Sequence, residues 1–249
     1  MRKYALTYPQ LILQAVDAGL PEPELARLRL AYDLAVRLVD GLYRKQGVPF
    51  LCHLVRTASI VLHDTRDLDT VLAGLLHAVH FLHLFEGSRR RGPRTSDRRF
   101  LREQVGEPVD RLISQYSEFK WNAKVALRHQ DPSLITDPLT RRILSIKLAD
   151  ELEDHLDAAE AFVPKGNFRP QADYGTEFIG LATALNLHAL ATDFREAVDQ
   201  SLRARLPDSV LSPHRSSHEV RNRLWMASPI ERLGSHLRRR GVTGGGSNG

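Results

Sequence analysis

The feature that most narrows the folds open to this chain is the spacing of its apolar residues, which recur every three or four positions along most of its length. That is the period of a helix with one buried face, whereas the alternation of a strand and the Asn-Gly or Asp-Gly turns of hairpins are scarce. The expectation is an all-α protein, a helical bundle. Leu25, Leu28, Ala31, Tyr32, Ala35, Leu38, Val39 and Leu42 make one continuous stripe, opened by Pro21 and Pro23 and closed by Gly47 and Pro49. A second helix is predicted from Leu51 to His63 and a third from Leu68 to Phe85. Gly87, Gly92 and Pro93 then mark a loop, followed by a short helix with Phe100, Leu101 and Val105 and another over Glu107–Glu118. Asp137 before Pro138 is a cap and first-turn pair, which starts a helix through Ile143, Ile146, Leu148, Leu152 and Leu156. Tyr174–Leu206 offers one or two more helices and Ser216–Leu237 a terminal one.

A chain of 249 residues can bury a real core, and 42% hydrophobic with 26% charged residues excludes a wholly disordered or collagen-like design. Cys52 is the sole cysteine, so an intramolecular disulfide framework and a thiolate zinc module are both excluded. The amino terminus has no apolar run long enough for a signal, and no stretch approaches the roughly 18 apolar residues of a membrane span. These features point to a cytoplasmic protein. The net charge of +5 is clustered in Arg89, Arg90, Arg91, Arg94, Arg98, Arg99 and Arg102 and in Arg238, Arg239 and Arg240. Such clusters attract nucleic acid in some proteins, but here they lack the interleaved aromatics of a stacking platform, which favours a solvated loop and tail.

The residues with chemistry to offer are histidines and carboxylates spread over several helices. His53 opens the second helix, and His77, His80 and His83 stand at i, i+3 and i+6 in LLHAVHFLH, so His77 and His80 share a face. Asp150, Glu153 and Asp154 can share one face of the later helix. Imidazoles and carboxylates suit zinc, manganese or iron, and ligands from separate helices can converge inside a bundle. Cys52 next to His53 is read as a packed thiol, because adjacent helical residues diverge by about 100°. Trp121 and Trp225 are read as packing residues, and His155, His188, His214, His218 and His236 show no convergent spacing.

The run RKQGVPFLCHLVRTASIVL, then LLHAVH, then IKLADELED resembles the HD-domain hydrolases that remove the 3′-diphosphate from guanosine tetra- and pentaphosphate, the bacterial alarmones. Arg44, Lys45, Gly47, Pro49 and Phe50 resemble that family's Arg-Lys-x-Gly-x-Pro-Tyr segment, and EQVGEPVDRLISQYSEFKW looks like its Phe-Gly-x-x-Val segment. The resemblance implies a helical metallohydrolase scaffold with His53, His77 and Asp150 as metal ligands for Mn, Fe or Zn, and Arg44 and Lys45 as ligand-binding residues. The resemblance covers residues 22–200, and with the terminal helical pattern and the Gly-rich end the expected division is an HD-like helical domain over 1–205, a C-terminal helical extension over 206–240 and a flexible Gly-rich tail over 241–249.

The departures from that pattern bear on function. Ala78 stands in place of the family's metal-binding Asp, and Phe81 and Leu82 in place of its Glu-Asp pair, so neither can accept a proton. Glu151, Glu153 and Asp154 replace cationic and neutral polar positions and would repel a substrate with two diphosphates if they faced the pocket. Ordinary alarmone hydrolysis is not expected. The preferred reading is a repurposed small-molecule enzyme, with His80, Glu151, Glu153 and Asp154 as acid–base or substrate-binding groups beside the metal ligands. The alternatives are an inactive pseudohydrolase that senses a ligand or a protein, and, least favoured, a nucleic-acid binder. A small-molecule ligand and a homodimer are the expected partners.

Overall fold

The computed structural model describes residues 2–80, 95–163, 174–214 and 217–219. Within them the protein is all-α, with a single two-residue strand pair. The helices are α1 (Tyr8–Asp17), α2 (Glu22–Val39), α3 (Phe50–Asp64), α4 (Leu68–Leu76), α5 (Thr95–Val105), α6 (Glu107–Glu118), α7 (Ala123–Arg128), α8 (Pro138–His155), α9 (Tyr174–Ala184) and α10 (His188–Arg203).

The two central helices are α3 and α8. Every residue of α3 from His53 to Leu62 is buried, because α1, α2, α4 and α8 cover it from different sides. On α4, Gly74 permits the close crossing with α3: a Cβ there would stand 3.4 Å from Val61 Cγ2 and 3.7 Å from the Ala58 Cα. Helix α8 begins as its sequence dictates. The Asp137 carboxylate accepts from the Leu139 and Thr140 backbone N–H groups, each at 3.1 Å, which contributes about 1 kcal/mol, and Pro138 occupies the first turn. It ends at His155, after which Asp157 (φ 57°) and Ala158 (φ 53°) are both left-handed and turn the chain into the 3-10 segment Leu156–Phe162.

Several expectations are corrected. The third helix stops at Leu76 rather than running on through the described residues, and 77–80 form turns. The Gly74 carbonyl, which a continuing helix would offer to the Ala78 N–H, accepts from His77 Nδ1 at 2.7 Å. Leu42 leaves the stripe of α2 and forms, with Tyr43, strand β1 (Leu42–Tyr43). It pairs antiparallel with β2 (His218–Glu219), two residues expected in a terminal helix. The spacing also gave no notice of α1 and α7. Phe81, Leu82, His83, Trp225, His236, the arginines 89–94 and 238–240 and the Gly-rich tail lie outside the described residues.

Candidate metal centre

Three helices bring three donor atoms together. His53 sits in the first turn of α3, His77 caps the C-terminus of α4, and Asp150 projects from the middle of α8. His53 Nε2 lies 3.3 Å from His77 Nε2 and 3.3 Å from Asp150 Oδ1, and His77 Nε2 lies 3.4 Å from the same oxygen. The point equidistant from three atoms so spaced is about 1.9 Å from each, close to ordinary metal–donor distances of about 2.0–2.2 Å, so these three atoms could hold one divalent ion. Among the described residues these three form the one group of that kind. Both imidazoles are buried, while the Asp150 side chain is 28% exposed and gives the centre its access to solvent.

Each donor is held from behind. The His77 Nδ1–H is committed to Gly74, which leaves Nε2 with a lone pair toward the centre. His53 Nδ1 faces Glu153 Oε2 at 2.5 Å, the carboxylate–imidazole pairing that raises a ligand's basicity. The Tyr116 hydroxyl, on α6, donates to Asp150 Oδ2 at 2.6 Å and so turns Oδ1 toward the histidines. Tyr116 is fully buried, its ring 5.1 Å from the His77 ring and 3.5 Å beneath Lys147 Nζ. Sequence reasoning missed Tyr116. The signal was there: Val109, Leu112, Ile113 and Tyr116 form the buried stripe of α6, and a tyrosine on such a stripe needs a partner for its hydroxyl.

The electrostatics follow from burial and charge pairing. Burial and Arg44 depress the His53 imidazole, but Glu153 and Asp150 outweigh them and bring it to about 9, so a metal at Nε2 would displace a proton. Burial favours a neutral Asp150, but the two histidines hold its carboxyl well below the usual range. Glu151 goes the other way: burial, then Asp150 and Asp154, push its carboxyl up to about 8 against the opposing hydrogen bond from Trp121. Burial brings the Lys147 ammonium down to about 8, opposed by Asp150 and Glu151. The Cys52 thiol is pushed up, burial foremost, which suits a packed cysteine rather than a nucleophile.

Three of the four expected acid–base residues have fixed partners. Glu151 accepts from Trp121 Nε1 at 2.7 Å, Glu153 orients His53, and Asp154 pairs with Arg44. His80 is buried but outside the triad, because the helix that would have aligned it with His77 has ended. Of the two expected ligand-binding residues, Lys45 pairs with Glu160 at 2.9 Å, whereas the Arg44 guanidinium reaches the centre, with Nη1 3.4 Å from His53 Nε2. Arg56 was not expected here; it pairs with Asp157 at 2.6 Å and lies 4.0 Å from Glu153. Ala78 is buried and its methyl offers no donor atom.

A cavity of about 180 Å³ is lined by Arg44, Gln46, Arg56, Glu153, Leu156 and Phe162 among others; it holds no triad residue, but Arg44 and Glu153 both reach His53. A larger open groove of about 740 Å³, between Lys3, Gln14, His63 and Arg66, shares no residue with the triad. Within the arginine cluster, Arg98 and Arg102 pair with the buried Asp110 at 3.1 and 3.2 Å, and Arg99 pairs with Glu103. No helix of the described residues is long and apolar enough to cross a membrane.

No protein-family model matches the chain. Over 66 residues, 26% of its length, it is 38% identical to the bifunctional (p)ppGpp synthase/hydrolase SpoT of Escherichia coli (strain K12). The same identity and coverage hold for the guanosine-3′,5′-bis(diphosphate) 3′-pyrophosphohydrolases of Escherichia coli O157:H7 and Shigella flexneri. The match spans 9% of the length of each of these relatives, which makes the relation a distant one.

Proposed function

We propose that the chain is a divalent-metal protein on an HD-type helical scaffold, whose three-ligand centre has been turned from alarmone hydrolysis to another small molecule. One observation carries the reading. His53 Nε2, His77 Nε2 and Asp150 Oδ1 stand 3.3–3.4 Å apart, each fixed by its own second partner. A packed histidine pair does not require that convergence of three separately oriented donors. The donor set fits Mn, Fe or Zn, and such an ion, when bound, would supply Lewis-acid chemistry. The residues themselves orient the donors, and Arg44, Arg56 and the cavity they line shape what can approach.

Against ordinary alarmone hydrolysis stand Ala78, which supplies no fourth ligand, and Phe81 and Leu82, which cannot move a proton. The engagement of Glu151, Glu153 and Asp154 by Trp121, His53 and Arg44 specifically favours a second reading, a ligand-sensing pseudohydrolase that binds without turnover. The two readings part in one experiment. The full chain, loaded with Mn²⁺, Fe²⁺ or Zn²⁺, is screened against phosphate esters, nucleotides and other small polar metabolites. The enzyme reading expects turnover of at least one compound, lost in His53→Ala and Asp150→Ala, with no appreciable release of diphosphate from guanosine tetraphosphate. Saturable binding without turnover supports the sensor, and efficient guanosine tetraphosphate hydrolysis would sink both.

A further inference from the structure

The candidate centre carries a cation of its own. Arg44 leaves β1 into a tight turn closed by Arg44 N–H to Val48 O at 2.8 Å and Gly47 N–H to Arg44 O at 2.9 Å, with Gly47 in the left-handed region (φ +83°). The turn aims the guanidinium back over the Phe50 ring, 5.7 Å from its centroid, into the mouth of the triad. There Nη2 is ion-paired with Asp154 while Nη1 stands 3.4 Å from His53 Nε2, a nitrogen that would hold a metal.

We propose that Arg44 is a resident cation that opposes metal binding, so that occupancy of the His53–His77–Asp150 centre depends on whether its guanidinium lies over His53 or swings out. This rests on the metal reading above and adds regulation to it. The guanidinium stays charged at every accessible pH, and an ion bound to His53 Nε2 would lie within about 4–6 Å of it. Repulsion of a dication at that range in a partly buried site is enough to weaken binding by at least about tenfold. The arrangement is also reversible. Asp154 is 29% exposed, so a long arginine side chain can pivot about this anchor and keep its ion pair while the charge moves toward solvent. Asp154 offsets part of the guanidinium charge at the centre, so the comparison of the double variant with Asp154→Asn isolates the contribution of Arg44, while Glu153 is shared by His53 and Arg56.

The test titrates Co²⁺ into the full chain and into Arg44→Met, Asp154→Asn and the double variant, followed by calorimetry and by visible absorption of the bound ion. Arg44→Met is expected to bind at least about tenfold more tightly than the wild type, and the double variant to exceed Asp154→Asn by a similar factor. The second comparison leaves no carboxylate stripped of its partner, so it remains informative if Arg44→Met alone is unstable. Binding by the Arg44 variants where the wild type takes up none supports the inference further. Affinity unchanged within twofold, or weakened, in both backgrounds overturns it while leaving the metal centre standing. Failure of all four proteins to bind Co²⁺ overturns both.

Discussion

The hydroxyl of Tyr116 donates to Asp150 Oδ2 at 2.6 Å, and this one bond decides which oxygen of the carboxylate faces His53 and His77. Tyr116→Phe keeps the ring against His77 but frees the carboxylate to rotate. Metal affinity should fall about tenfold, with about 1 kcal/mol lost from stability, as measured by metal titration and urea unfolding. Unchanged affinity would show that Asp150 is oriented by something else.

Glu153 does for His53 what Tyr116 does for Asp150. Glu153→Gln keeps a hydrogen-bond acceptor at His53 Nδ1 but removes the charge that lifts the imidazole and neutralises Arg56. A fall of about 10- to 100-fold in metal affinity is expected. If Glu153 were instead the proton-transfer group, turnover would collapse with metal affinity intact.

On mild acidification His53, raised to about 9, and Glu151, raised to about 8, contribute to stability, whereas His155 contributes against it. Its imidazole is depressed by burial foremost, with Lys45 adding and Asp154 opposing, so the unfolded chain takes up the proton first. The contribution is fully present above the unfolded pKa of about 6.5 and declines as pH drops through and below that value. On going from pH 7.5 to 5.5, the urea midpoint of His155→Leu should rise relative to that of the wild type. An equal pH response in both would show that His155 contributes nothing to it.

The amino-terminal residues are clasped onto the bundle. The buried Asp193 carboxylate accepts from the Arg2 backbone N–H at 3.0 Å, Arg2 Nε at 2.7 Å and the Tyr4 hydroxyl, and Arg2 also reaches Asp64 at 2.8 Å. Asp193→Ala removes one side of this network and should cost about 3 kcal/mol in thermal or urea unfolding. A loss under about 1 kcal/mol would mean that the clasp contributes little to stability.

The helices were largely legible because burial of one face writes a period of 3.6 into the sequence, and Asp137 with Pro138 marked the start of α8. The end of α4 was not. It turns on the His77 imidazole taking the Gly74 carbonyl, a side-chain choice that leaves the apolar spacing through Val79 intact. The pairing of Leu42–Tyr43 with His218–Glu219 joins residues far apart in the chain, and two-residue strands carry no period at all. The face shared by Asp150 and Glu153 follows from helical geometry, and both do reach His53. Glu151 is rotated about 100° away and meets Trp121, a partner set by the packing of the α6–α7 connection rather than by spacing on α8.

The central claim is that His53, His77 and Asp150 hold one divalent ion. Equilibrium dialysis of the purified full chain against Zn²⁺ and Mn²⁺ tests it most directly, with His53→Ala, His77→Ala and Asp150→Ala alongside. One ion per chain is expected, with affinity reduced at least about 100-fold in each variant whose unfolding curve remains cooperative. No stoichiometric ion in the wild type or in any Arg44 variant, or binding that survives loss of all three donors, would contradict the account.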